Sequence, residues 1–229
     1  MAFFNANIQE AAKVAGGSGN YVSKSGIYDV TIKAVTVEAN DKGARSLSFF
    51  FTIGESEDIQ RLYSAIRLEN NDGSASYQAK AFHQLLHISD LESIADPIET
   101  ELPIGKDKAP VKVLMLEELC DVECKLGVKF EYSVWQGNIS EKKHIVGVYR
   151  ADGAHSSELL DDSIPVGTTL EKDLAYADKT TYRDGLTEED VSKWIADGRP
   201  KNSNGTGASA KPAASKPSFG SKKPGFGQK

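Results

Sequence analysis

The stretch IYDVTIKAVTVEANDKGARSLSFFFTIGESEDIQRLYSAIRL, residues 27–68, decides the fold of this chain. Apolar and polar residues alternate in three of its segments, 27–37, 45–53 and 59–68. A period of two is typical of a strand that buries one face, and the sequence NDKG at 40–43 has turn chemistry. We therefore predict three consecutive strands that pair as an antiparallel meander.

The alternation also assigns faces to these strands. The second strand has an inward face made of the apolar residues Leu47, Phe49, Phe51 and Ile53. Successive side chains on a strand point to opposite faces, so Phe50 is predicted to point outward. On the first strand, the same alternation groups Ala34 with the inward residues.

A helix and further strands follow the meander. After the turn NNDG at 70–73, an apolar stripe predicts a helix and consists of Tyr77, Ala81, Leu85 and Ile88. Strand patterns return at 111–126, 128–135 and 142–150. About six strands, with the helix between the third and the fourth, fit a small OB-like antiparallel β-barrel. The predicted fold class is therefore mainly β, within α+β.

Composition and the positions of Gly and Pro divide the chain into four predicted parts. Residues 1–20 form an N-terminal arm that ends in a glycine-rich stretch, and residues 21–150 form the OB-like barrel domain. Residues 151–198 are an acidic loop followed by an appended C-terminal helix, for which Thr187 is the predicted N-cap. Residues 199–229, rich in Lys, Pro, Gly, Ser and Ala, are predicted to be a disordered basic tail.

Charge divides the body of the chain from its tail. The chain has 27 basic and 33 acidic residues; seven of the basic residues and no acidic residue lie in 199–229, which leaves 20 basic and 33 acidic residues in 1–198. An acidic body disfavours strong binding of duplex DNA, whereas a basic segment with aromatics suits unpaired nucleic acid. The candidate tail contacts are Lys216, Phe219, Lys222, Lys223 and Phe226. A solubilising tail without a partner is the alternative.

Other signals limit the function classes. No apolar run approaches the ~20 residues of a membrane span, and the N-terminus lacks the basic region of a signal peptide. With two cysteines and no disulfide framework, the expected location is a reducing cytoplasm. Cys120 and Cys124 lack the spacing of common zinc sites, and no P-loop or nucleophile motif is present. We therefore expect a non-enzymatic protein without cofactor or metal.

The outward face of the meander carries the first candidate binding site. Arg61, Tyr63 and Arg67 alternate on its third strand, beside Phe50, and Lys33 joins them from the first strand. Aromatic rings beside guanidinium groups form a surface on which bases stack while cations meet phosphates. In the alternative interpretation, the N-terminal arm or the C-terminal helix covers Phe50.

A second outward set is predicted on the later hairpin. Lys129, Trp135 and Lys143 belong to it, and Trp135 stands at a strand end beside Gly137. This is a common position for a binding residue. The alternative is a tryptophan that packs on the rim of the barrel.

The sequence resembles phage single-stranded DNA-binding proteins. The resemblance covers roughly residues 20–150 and is carried by SGIYDVTIKAV, KGARSLSFFFTI, RLYSAIRL and YQAKAFHQLLHI. It implies an OB-fold that binds unpaired DNA in replication, recombination or phage transcription, in the cytoplasm of a bacterial host. Many such proteins end in an acidic tail with an aromatic tip, whereas this chain ends in the basic sequence PGFGQK.

The resulting hypothesis is a non-enzymatic phage protein that coats single-stranded DNA. Phage polymerase or recombination proteins are further candidate partners, and self-association is left open. The alternatives are a transcription factor that recruits a phage RNA polymerase to opened DNA, a protein–protein adaptor, and a metal-dependent nuclease.

Overall fold

The computed structural model describes residues 21–104 and 109–199. The predicted N-terminal arm lies outside the described residues, as does the predicted tail apart from Arg199. All five candidate tail contacts lie outside them too. No helix within the described ranges is long and apolar enough to cross a membrane.

Eight strands and four α-helices are present in the described residues. The strands are β1 (Gly26–Ala39), β2 (Arg45–Ile53), β3 (Gln60–Arg67), β4 (Ile98–Ile104), β5 (Ala109–Met115), β6 (Glu123–Trp135), β7 (Asn138–Arg150) and β8 (Thr181–Tyr182). The helices are α1 (Ala79–Ile88), α2 (Ser156–Leu160), α3 (Thr168–Leu174) and α4 (Glu188–Ala196), with a short 3-10 turn at Glu117–Leu119.

The predicted meander is confirmed, because β1 pairs with β2 and β2 with β3, both antiparallel. On its other side, the first half of β1 pairs with β6 and the second half with β5. β6 pairs along its length with β7, and the two-residue β8 joins β6 in parallel. One mainly antiparallel sheet therefore contains all eight strands.

The predicted closed barrel is not confirmed, because no ladder in the described part of the chain joins β3 to β7. The two strands nevertheless lie side by side. Val22 bridges the gap: its backbone N–H donates to Oε1 of Gln60 over 2.7 Å, and its carbonyl accepts from Nζ of Lys143 over 3.2 Å. In the described residues, Val22 and the side chains of Gln60 and Lys143 therefore span the seam between β3 and β7 through two hydrogen bonds.

The predicted long strand over 111–126 is wrong. Residues Ala109–Met115 form β5, which pairs with β4, a strand that the sequence pattern did not predict. The chain then makes the 3-10 turn, and Asp121 adopts the left-handed φ of 61° before β6 begins. A positive φ is strained for a residue with a side chain and breaks the extended backbone.

A β-bulge at Lys33 changes the faces of β1. The register with β2 shifts between Ile32 and Ala34, so Val35 enters the core in place of Ala34. The inward position predicted for Ala34 is therefore wrong, since one extra residue reverses every later side chain.

The core lies between one face of the sheet and α1. Leu47, Phe49 and Phe51 are fully buried there, as the alternation predicts, and α1 contributes Ala81, Leu85 and Ile88. The appended C-terminal helix is present as α4, with Thr187 as its N-cap. It packs beside β6, where the Trp194 ring meets Tyr132 edge-on with centroids 6.3 Å apart.

Candidate functional site

The outer face of β2 and β3 carries a stack of three side chains. Phe50 and Arg61 are register partners, and the Arg61 guanidinium carbon lies 4.9 Å from the Phe50 ring centroid. The same carbon lies 3.8 Å from the centroid of Tyr63. Arg61 therefore lies against both aromatic rings, in the geometry of a cation–π interaction.

The stack is unequally exposed. Tyr63 is 62% exposed, whereas Phe50 is 8% exposed although it points outward. The Arg61 side chain, 18% exposed, lies over Phe50. Phe50 is therefore no open stacking surface. Arg61 lies over its ring, whereas the N-terminal arm, one of the two covers in the alternative interpretation, lies outside the described residues.

An ion pair with Glu38 holds Arg61 in place. Arg61 is on β3 and Glu38 on β1, and β2 lies between these two strands. The Arg61 side chain therefore crosses β2 to reach the carboxylate. The Oγ1 of Thr36 and the Nε of Arg61, both on this face, are buried and have no hydrogen-bond partner in the structure.

A bulge in β3 projects Tyr63 from the sheet. The register with β2 shifts between Leu47 and Phe49, opposite Ser64, which has a positive φ of 46°. The backbone N–H of Ser64 donates to Oγ of Ser48 over 3.0 Å instead of joining the ladder. Sequence alternation contains no signal for this bulge.

The other two residues of the first predicted set lie apart from the stack. Lys33 sits on the β1 bulge and pairs with Asp121 at 2.8 Å, on the side of β1 away from β2. Arg67 is exposed at the end of β3, and its backbone N–H donates to Oε1 of Gln78 over 2.9 Å. The structure thus brings together Phe50, Arg61 and Tyr63 and separates them from Lys33.

The second predicted set is divided between two faces. Lys129 is opposite His144 in the β6–β7 pair, whereas Lys143 is opposite Phe130, a core residue. The Lys143 Nζ lies 4.6 Å from the Phe130 ring centroid. The outward position predicted for Lys143 is therefore wrong, and this lysine instead donates to the Val22 carbonyl at the β3–β7 seam.

Trp135 stands at the tip of the β6–β7 hairpin. It is 69% exposed, and Gln136 and Gly137 make the turn with φ angles of 51° and 75°. A tryptophan packed on the rim of the barrel would be much less exposed, so Trp135 does not fit the rim-packing alternative. Trp135 is thus free to meet a ligand at the hairpin tip.

The groups considered for zinc do not form a cluster. Burial raises the pKa of the Cys124 thiol to about 12, which disfavours the thiolate that binds metals. His155 lies 2.8 Å from the side-chain nitrogen of Gln84. In the part of the chain that the structure describes, no three His, Cys, Asp or Glu side chains are grouped as a metal site would require.

A groove on the sheet was missed by sequence reasoning. Its volume is about 260 Å³, and its lining includes Gly127, Gly147, Lys129, Tyr77 and Tyr176. Tyr77 was predicted to lie on the apolar stripe of the helix, but it precedes α1 and is 74% exposed. The glycines of β6 and β7 were the available sequence signal, because glycine inside a strand often marks a close approach.

The comparison with known proteins found no relative of this chain. No family model, curated protein or solved structure matches this chain. Function is therefore inferred from the geometry and chemistry of its own residues.

Proposed function

We propose that this chain is a non-enzymatic phage protein that binds single-stranded DNA and coats it during replication and recombination. The observation that carries the proposal is Tyr63, an exposed ring held against a guanidinium group on a sheet whose other face is already filled by the core. An exposed aromatic ring costs free energy in water and is suited to stack on an unpaired base.

The strand order supports an OB-like arrangement. β1 pairs with both β2 and β6, α1 follows β3, and Val22 spans the remaining seam. OB-folds bind oligonucleotides on the face of their second and third strands and on two adjoining loops. In this chain the corresponding strands are β2 and β3, and the β6–β7 loop carries Trp135.

Arg61 prepares Tyr63 for binding. A ring fixed by a neighbouring guanidinium loses less conformational freedom when a base stacks on it, and preorganisation of this kind increases affinity. The second face of the ring is then available to a base. A duplex has no unpaired base to offer, and the acidic body repels its dense phosphates.

The test is a comparison of single-stranded and duplex oligonucleotides of equal length by fluorescence anisotropy, with the full chain and at several salt concentrations. We expect binding of the single strand, weaker binding of the duplex, and affinity that falls with salt as counterions are released. Equal affinity for the two forms, or no binding of the single strand, would overturn the proposal.

A further inference from the structure

Strand backbone and the side chain of Tyr149 form the floor of the groove. Ile27, Gly127 and Gly147 are register partners on β1, β6 and β7, so the floor crosses three neighbouring strands. A Cβ on Gly127 would stand 3.3 Å from the backbone nitrogen of Gly147. A Cβ on Gly147 would stand 2.8 Å from the Tyr149 hydroxyl oxygen, so the Tyr149 side chain lies against this glycine and shares the floor with the strand backbone.

The walls of the groove provide rings and cations. Tyr77 is 74% exposed and Tyr176 64%, and both line the groove together with Lys129 and Lys179. The Nζ of Lys179 lies 4.3 Å from the ring centroid of Tyr176. This pairing repeats the Arg61–Tyr63 arrangement in the segment that follows α3.

A buried tyrosine attaches this wall to the sheet. The Tyr149 hydroxyl donates to Oδ2 of Asp173 in α3. Asp173 is the one acidic group among the described groove-lining residues. The hydrogen bond from Tyr149 holds the segment that carries Tyr176 against β7.

Polar contacts connect the groove to the end of β3. The side-chain oxygen of Gln78 accepts from the backbone of Arg67, and its nitrogen lies 3.1 Å from Nδ1 of His144. His144 in turn stands opposite Lys129, which lines the groove. A strand that crosses Arg67 would therefore pass over polar groups before it reaches the groove.

We propose that this groove, lined by Tyr77, Lys129, Tyr176 and Lys179, is a second nucleotide subsite for the same single strand. The inference rests on the proposed function. One base stacks on an exposed tyrosine ring over this floor, and the two lysines meet its flanking phosphates. The volume of about 260 Å³ lies just below the ~300–1,000 Å³ of pockets for whole small molecules, so one ring and its sugar suit it better than a larger ligand.

Two oligonucleotide lengths test the subsite. We would titrate the full chain with oligothymidines of about 4 and about 16 nucleotides, the range of lengths bound by one OB-fold. Tyr176→Ala is expected to weaken binding of the long oligomer about 5- to 150-fold, the equivalent of ~1–3 kcal/mol for a stacked base. It should leave the short oligomer within about twofold, because that one is bound at Tyr63. Tyr176→Phe should restore most of the affinity.

The controls distinguish this inference from the proposed function. Tyr21→Ala removes an exposed tyrosine that does not line the groove and should have no effect, and thermal unfolding checks that Tyr176→Ala stays folded. If Tyr176→Ala leaves the long oligomer within twofold while Tyr63→Ala weakens it, the groove is no subsite but the proposed function stands. If the unmodified chain binds neither oligomer, both are wrong.

Discussion

The Arg61 guanidinium lies 3.8 Å from the centroid of the Tyr63 ring. One side chain thus connects an exposed ring, a buried ring and, through its ion pair, the carboxylate of Glu38 on the far side of β2. Arg61 thus fixes the position of the Tyr63 ring. The ion pair with Glu38 neutralises the charge of Arg61, which would otherwise attract an anionic ligand. Tyr63, Glu38 and Phe50 can therefore be tested separately.

Tyr63→Ala should weaken single-strand binding about 5- to 150-fold, because ~1–3 kcal/mol is lost with one stacked base. Tyr63→Phe keeps the ring and should bind nearly as well as the unmodified chain. Since Tyr63 is largely exposed, its removal should lower the free energy of unfolding by no more than ~1 kcal/mol, the loss of one cation–π contact. Anisotropy and thermal unfolding measure the two effects. Unchanged affinity of Tyr63→Ala would contradict the assignment.

Glu38→Gln should tighten single-strand binding at low salt, because it releases the Arg61 guanidinium to meet a phosphate. The plot of log affinity against log salt should become steeper by ~0.7, the contribution of one additional phosphate contact on a single strand. Glu69→Gln is the matched control, since Glu69 pairs with Arg45 on the same meander. Equal slopes for Glu38→Gln and the unmodified chain would show that Arg61 does not reach a phosphate.

Phe50→Ala should mainly affect stability. Phe50 is 8% exposed, and truncation of a buried phenylalanine costs ~3–5 kcal/mol. We expect a loss near ~3 kcal/mol, because Phe50 lies beneath the Arg61 side chain and outside the main core cluster. Urea denaturation measures it, with Phe50→Leu as the milder control. A loss below ~1 kcal/mol would mean that Phe50 is accessible to solvent.

The sequence allows much of the meander to be predicted, but not its irregularities. Alternation places Phe49 and Phe51 inside and Phe50 outside, since a strand has a strict period of two. It cannot locate the bulges at Lys33 and Ser64, because an extra residue in a ladder has no signature in composition. It also cannot show that Arg61 reaches Glu38, or that Tyr176 approaches β7, since both depend on tertiary packing between distant segments.

The buried carboxylate of Glu158 predicts a loss of stability in acid. It is 3% exposed and accepts hydrogen bonds from the backbone N–H groups of His155, Gly167 and Thr169, at 3.0, 2.9 and 2.6 Å. Burial alone would raise the pKa of Glu158, but these bonds lower it to about 2, from an ordinary value of 4.5. A depressed pKa in the folded state stabilises the protein above the unfolded value.

This contribution should be fully present above about pH 4.5 and lost as the pH falls towards 2. Urea denaturation between pH 6 and pH 2 should show the decrease in the free energy of unfolding. In Glu158→Gln the protein should be less stable at neutral pH, and the decrease over this interval should be smaller. Parallel pH profiles for the two proteins would assign the acid sensitivity to other carboxylates.

The basic tail can be tested by truncation after Arg199. This residue should be kept, because its guanidinium pairs with Glu141 at 3.1 Å and lies 5.7 Å from the Trp194 ring, so it fastens α4 to β7. Residues 200–229 carry six lysines and no acidic residue. We expect their removal to leave the thermal unfolding unchanged, weaken single-strand binding at low salt, and flatten its salt dependence as phosphate contacts are lost. A second truncation after Gly198 should also lower stability, since Glu141 then loses one of its cations.

An acidic tail that competes with DNA would behave in the opposite way. Tighter binding by the shorter chain, or an unchanged salt slope, would show that the tail does not contact DNA and would favour its recruitment of a protein partner.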